Sequence, residues 1–210
     1  TLQTTTALVT VQAYAVSINP LIQVCSYGER VSLLAGTPGD GKLTWSIVDP
    51  VTGESGKLEP DADGAGGQIY VAGPKVNGKS YVLDEIAVSD GQHTRSAWVL
   101  VRQVDPVLTI EMVEDSTLPD GEIRLQAKVN GMPLLDNVEW WKPDGMPGSF
   151  DGDVYKSDLN ALNPFVVIFA RFEDTVWDLF YEGHVILPLP LNRSPEMVRK
   201  LLLPQVSTLD

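Results

Sequence analysis

Short runs of alternating apolar and polar residues, each closed by glycine, proline, aspartate or asparagine, recur along the whole chain. They read ERVSLLAG, KLTWSIV, GQIYVAG, SYVLDEIAVSD and SAWVLV, then EIRLQAKVNG, NVEWWKP, GDVYKS, PFVVIFARFED and GHVILPL. A period of two is the mark of a strand with one buried face, and no segment of helical period and length separates the runs. Strands spaced about 8 to 12 residues apart, with turn signals between them, fit a sandwich of antiparallel sheets and not a parallel α/β design. The fold class read from this rhythm is all-β.

The runs are written twice. Gly28-Glu29-Arg30-Val31-Ser32-Leu33 is echoed by Gly121-Glu122-Ile123-Arg124-Leu125, and Leu43-Thr44-Trp45 by Val138-Glu139-Trp140. Each tryptophan is followed by a turn of aspartate and proline, Asp49-Pro50 or Pro143-Asp144-Gly145. Gly56-Lys57-Leu58 then matches Gly148-Ser149-Phe150, Gln68-Ile69-Tyr70 matches Asp153-Val154-Tyr155, and Val82 to Asp90 lies over Val166 to Asp174 at an offset of 84. Five landmarks keep their order while the loops differ, so the repeating unit is about 90 residues.

This pattern of glycine, apolar strand, W-x-[IV], Gly-x-[LF], [IV]-Tyr and an alternating strand ending in aspartate resembles the bacterial Ig-like domains of surface and secreted proteins. The resemblance runs from about Val16 to Leu189. It implies two tandem Ig-like β-sandwich domains, one over residues 1–104 with an N-terminal extension and one over 105–192. It further implies a non-catalytic spacer or adhesion unit, needing no cofactor and placed outside the cell or on its surface. In such a domain the strand tryptophan faces the opposite sheet. Strand parity gives the same orientation independently, because Leu43, Trp45 and Ile47 share one face, which makes Trp45 and Trp140 core and turns Trp141 outward. The second unit departs from the family pattern in its doubled tryptophan and its aromatic Phe-Val-Val-Ile-Phe run. The link between the units, Arg102 to Pro106, is short and contains Asp105-Pro106, which predicts limited hinge motion. Residues 193–210 form a tail in which Ser194-Pro195-Glu196 offers a cap, a proline at the first helical position and an early acid, so a short helix is predicted before Pro204.

Charge narrows the partners. Lys and Arg total 15 against 28 Asp and Glu, a net of -13 that a phosphate backbone repels, so nucleic acid is not expected. The longest apolar runs fall far short of the roughly 20 residues of a spanning helix. Cys25 is the only cysteine, which precludes an intrachain disulfide and a zinc site built on cysteine pairs. The opening TLQTTTALVTVQAY lacks the organisation of a signal peptide, and the chain reads as a processed or excised piece of something longer.

Several motifs invite a chemical reading. Gly36 to Lys42 fits GxxxxGK, but Leu43 has no hydroxyl for magnesium and a strand follows, so the segment is read as a hairpin turn. Asp61-Ala62-Asp63-Gly64-Ala65-Gly66 resembles the front of a calcium loop without the oxygen ligands expected at its fifth and twelfth positions, so no metal is assigned, Asp61 and Asp63 being weak candidates only. The turn Asp151-Gly152-Asp153 is read in the same way. His93 and His184 have no nucleophile and orienting acid arranged beside them, and Glu173 and Asp174, neighbours on a strand, diverge. Cys25 reads as a partly buried inert thiol, and the sequon at Asn192 as incidental.

One feature stands above this background. With Val166, Ile168, Ala170 and Phe172 inward, Val167, Phe169 and Arg171 share the outer face with Trp141, and Trp177 and Tyr181 are placed to extend it. An apolar patch on a sheet exterior marks contact with something. The candidates are the neighbouring domain or the tail, a protein partner or self-association, and a glycan stacked on Trp141. The principal reading is a non-enzymatic structural and interaction module of a larger bacterial surface or secreted protein. The alternatives are a carbohydrate- or receptor-binding accessory region of an enzyme or toxin, and a structural part of a phage tail-like assembly.

Overall fold

The structure, a computed structural model, describes residues 16–38, 41–62, 67–158, 163–175 and 179–191. The boundary between two compact units falls between Asp105 and Pro106. The regular elements among the described residues are all strands, as the period of two requires, and no helix there is long and apolar enough to cross a membrane. The helix expected after Ser194 and the candidate residues Asp63 and Trp177 lie outside the described residues.

The first unit contains β1 (Ser17–Asn19), β2 (Ile22–Ser26), β3 (Arg30–Gly36), β4 (Thr44–Val48), β5 (Lys57–Pro60), β6 (Gln68–Val71), β7 (Tyr81–Ser89) and β8 (Thr94–Arg102). They form two sheets, β1-β3-β6-β5 and β2-β8-β7-β4. The opening strand is divided between them. β1 pairs antiparallel with β3, the chain leaves that sheet at Pro20, which cannot donate to a ladder, and β2 runs parallel to β8. The second unit contains β9 (Leu108–Val113), β10 (Glu122–Val129), β11 (Met132–Pro133), β12 (Val138–Trp141), β13 (Ser149–Asp151), β14 (Val154–Lys156), β15 (Phe165–Asp174) and β16 (Leu179–Pro188). Here β10 pairs with β9, β11 and β14, with β13 beyond β14, and β12-β15-β16 make the other sheet. In both units the strand order is that of an immunoglobulin-type sandwich.

Each sandwich is closed by residues from both sheets. In the first, Val31, Leu33 and Tyr70 pack with Val82, Ile86, Val99 and Val101. In the second, Leu108 and Ala127 pack with Ala170, and Trp140, Phe172 and Tyr181 lean on that cluster. The two tryptophans expected to fill the cores face inward but are only half-buried. The reason is strand order, since β4 and β12 are edge strands and one flank of each indole meets solvent.

The centre is held instead by Tyr70 and Tyr155, both fully buried. Their neighbours explain the repeated Gly-x-[LF] motif. Leu58 pairs with Tyr70 and Phe150 with Tyr155, in equivalent register. A Cβ on Gly56 would sit 2.5 Å from the Tyr70 ring, and one on Gly148, where φ is +83, would sit 2.4 Å from the Tyr155 hydroxyl. Glycine is needed at both places because a phenol lies across the backbone. The hydroxyls then find different partners. Tyr70 donates to Asp84 Oδ2 at 2.6 Å, and the Gly56 N–H donates to the same oxygen at 2.8 Å, whereas Tyr155 donates to the Pro147 carbonyl at 2.9 Å. Position 168, which the repeat aligns with Asp84, is Ile168.

Candidate functional site

The candidate face lies on the sheet β12-β15-β16. Trp141 is registered opposite Phe169, and Glu139 opposite Arg171. On the other flank Phe169 faces His184, Arg171 faces Glu182, Glu173 faces Phe180 and Val167 faces Ile186. Directly opposed residues share a face, so these side chains lie together on the exterior of the second sandwich.

The rings are engaged with one another. Trp141 stacks on Phe169 with centroids 5.5 Å apart and planes at 15°, and Phe169 meets the His184 ring at 6.3 Å. The Arg171 guanidinium lies 5.6 Å from the centre of Trp141 and 5.7 Å from that of Phe180, while its Nε donates to Glu182 Oε1 at 2.5 Å. A guanidinium held by a carboxylate and flanked by two aromatic faces gains cation–π attraction from each, about 0.5 to 1 kcal/mol at an exposed site.

Burial divides the expected patch. Arg171 is exposed and Trp141 half-buried, but Phe169 and Val167 are enclosed, at 5% and 0% exposure. Both sit on β15, the middle strand of three, where neighbours screen them from two sides; alternation gives the direction of a side chain, not its cover. Tyr181 is on the opposite face, stacked at 6.3 Å on Phe172 in the core, so it does not extend the patch. Phe180, one residue earlier, registered opposite Glu173 and 59% exposed, takes that place. The slip is one of parity: the strand resumes at Leu179, and a shift of one residue exchanges faces.

The remaining candidates lie in turns and strands, all but Glu173 away from this face. Gly36 to Lys42 leads from β3 to β4, which lie in different sheets, so it is a connection between sheets and not the hairpin turn expected. Asp61 is half-buried and its N–H donates to the Gly67 carbonyl; among the described residues no three metal-ligating side chains gather. Asp151 and Asp153 flank the β13–β14 turn and are paired with Lys156 at 3.0 Å and Arg124 at 2.6 Å. Asp90 accepts the Gln92 and His93 N–H groups in the β7–β8 turn, and those bonds hold its carboxyl below the usual range. Glu173 and Asp174 project to opposite faces. Cys25 is buried on β2, and burial, aided by Glu29, pushes its thiol up to about 11. The thiolate is therefore suppressed at neutral pH.

A second feature was not signalled by the sequence. A cleft of about 620 Å³ opens between the sheets of the second unit, walled by Leu134, Leu135, Trp140 and Phe150, with Arg124 and Asp136 on its lining. Arg124 bridges Asp115 at 3.0 Å and Asp153 at 2.6 Å. Bonds from the Thr117 hydroxyl and N–H, then from Arg124, lower the Asp115 carboxyl to about 2. Its folded value thus lies below the unfolded one near 3.9, so the contribution of this group to stability is complete above about pH 4 and is lost as pH falls through about 2. A carbon-detected titration is expected to place the Asp115 midpoint near 2, and Thr117→Val is expected to raise it; an unshifted midpoint in the parent chain would remove the bridge.

No family model and no curated protein matches the chain. Similar solved structures include human protocadherin-24 EC1-2, at 15% identity and a TM-score of 0.33 over 82% of this chain and 95% of that one. The Ig1-2 module of the Drosophila receptor protein tyrosine phosphatase DLAR gives 14%, 0.31, 83% and 98%. Domains 5-6 of the S-layer protein SbsC give 11%, 0.31, 83% and 96%.

Proposed function

We propose that the chain is a non-catalytic pair of Ig-like units acting as a spacer and interaction module of a larger surface or secreted protein, and that it docks a protein partner through the Trp141, Arg171 and Phe180 face. One observation carries the choice of face. The first unit builds the same sheet with Ser46 where the second has Trp141, Ala87 opposite it where the second has Phe169, and Ser89 where the second has Arg171. The fold therefore does not require these rings, and an aromatic–arginine cluster beside exposed Phe180 is the composition of an interface centre. A glycan is the weaker occupant, because Trp141 already stacks on Phe169 and carries Arg171.

Site-specific photocrosslinking tests this reading. A photoreactive residue at position 180 is expected to yield a discrete protein adduct on the native surface, one that Arg171→Glu abolishes. The same probe at Val48, exposed on the first unit, is expected to yield none. With the probe moved to exposed Glu139 on the same face, Phe180→Ser should lose the adduct while shifting stability by no more than about 0.5 kcal/mol, its site being 59% exposed. Equal adducts from both positions, or quenching of Trp141 fluorescence by a polysaccharide alone, would overturn the protein-docking assignment.

A further inference from the structure

The ladder along one edge of β10 is interrupted. β14 pairs with Glu122 to Arg124 and β11 with Lys128 and Val129, while β9 pairs with Arg124 through Val129. Because β9 shares Arg124 with β14 and residues 128 and 129 with β11, those two strands both lie on the edge opposite β9. On that edge the bonds flanking the interval are Leu125 N–H to the Asp153 carbonyl and Leu134 N–H to the Ala127 carbonyl, each 2.9 Å. Alternate residues of a strand turn their backbone groups to alternate sides, so the Leu125 carbonyl and the Ala127 N–H also face this interval. The registered strands supply neither with a partner among the described residues.

A carbonyl at one residue and an N–H two residues later are what a parallel strand requires. One extended residue laid beside Gln126 donates its N–H to the Leu125 carbonyl and accepts from the Ala127 N–H. Its own side chain falls on the Gln126 face, and the side chains before and after it fall on the other. That second face is the cleft, whose walls of Trp140, Phe150, Leu134 and Leu135 are apolar and whose 620 Å³ lies in the range of ligand-accepting pockets. The rim carries Asp136 and Asp153, the second of them paired with Arg124, in a chain of net charge -13.

From these observations we infer that the interval is a strand-acceptor site. It takes a short extended segment of another protein in which apolar side chains, directed into the cleft, alternate with cationic ones at the acidic rim. Main-chain bonds supply the attachment and the cleft supplies the selectivity, which is the division of labour in strand addition generally. This site is separate from the Trp141 face, and either can fail without the other.

The probe is a capped hexapeptide of alternating leucine and lysine, titrated into the intact chain and followed by amide resonances. The Ala127 amide is expected to move downfield and to exchange more slowly, with Leu134, Gly152 and Asp153 shifting and Phe180 unmoved. The same peptide N-methylated on its lysine backbone nitrogens should bind about tenfold more weakly, the effect of one lost hydrogen bond, and the version with alanine for leucine should also weaken. The inference is overturned by saturation with the Ala127 amide unchanged, by equal affinity for the N-methylated peptide, which would indicate charge attraction alone, or by no saturable shifts at millimolar peptide.

Discussion

Tyr70→Phe is expected to destabilise the first unit by about 2 to 3 kcal/mol, whereas Tyr155→Phe should cost the second only about 1. The substitutions remove the same atom from equivalent positions, and the difference lies in what that atom bonds. The Tyr70 hydroxyl serves the Asp84 carboxylate, 4% exposed, which would keep only the Gly56 N–H of these two bonds. The Tyr155 hydroxyl serves the neutral Pro147 carbonyl, half of an ordinary exchange with water. Chemical denaturation resolved by unit, with Trp45 reporting on the first and Trp140 on the second, measures both; equal losses would show that Asp84 does not depend on the phenol. Alkaline unfolding gives a second readout. Burial, and for Tyr70 also the bond to Asp84, raises both phenols, Tyr155 to about 12. Stability from these groups is therefore intact below about pH 10, the unfolded value, and for Tyr155 declines as pH rises through about 12.

Gly183→Ala should lower the stability of the second unit by about 3 kcal/mol, the upper part of the range for overpacking. The added methyl would lie 2.3 Å from the Leu108 carbonyl oxygen and 2.7 Å from Leu108 Cδ2. No rotamer relieves a collision with backbone, and β9 cannot easily retreat, because it is registered against β10 at six successive positions. Gly131→Ala is the control: its φ is +79 with no atom within 4 Å of the added carbon, so only the left-handed backbone opposes it, at about 1 kcal/mol. Comparable losses at the two sites would mean that β9 yields, and that the sandwich is looser at that edge than its geometry implies.

The parts of this architecture that were legible in the sequence are those where sterics act locally. The alternation that turns Trp45 and Trp140 inward was readable because it depends on a few neighbouring residues, whereas Gly56 and Gly148 could be seen as repeated positions but not as places where a phenol crosses the backbone. Strand order was not. Nothing in the spacing around Trp45 says that β4 is an edge, and so its indole was expected to be more deeply covered than it is. β11 escaped notice although Asn130-Gly131, with φ of 51 and 79, is the dipeptide that a two-residue hairpin favours. The candidate face was half legible: Trp141 and Arg171 could be placed from parity, but Phe180 lies beyond a break in register, and the cleft exists only because β14 and β11 stop short of each other. Nothing in the residues around Asp84 announces the tyrosine that β6 places against it.

The division of the opening strand has a mechanical consequence. If the first unit is pulled by its two ends, β1, three residues held antiparallel to β3, can be peeled away bond by bond. The load then reaches β2, which runs alongside β8 in the same direction over five registered residues, Ile22 to Ser26 against Trp98 to Arg102. Tension enters at the start of one strand and leaves at the end of the other, so those bonds are sheared together instead of unzipped in turn, and the module resists stretching most strongly just after its first few residues have given way.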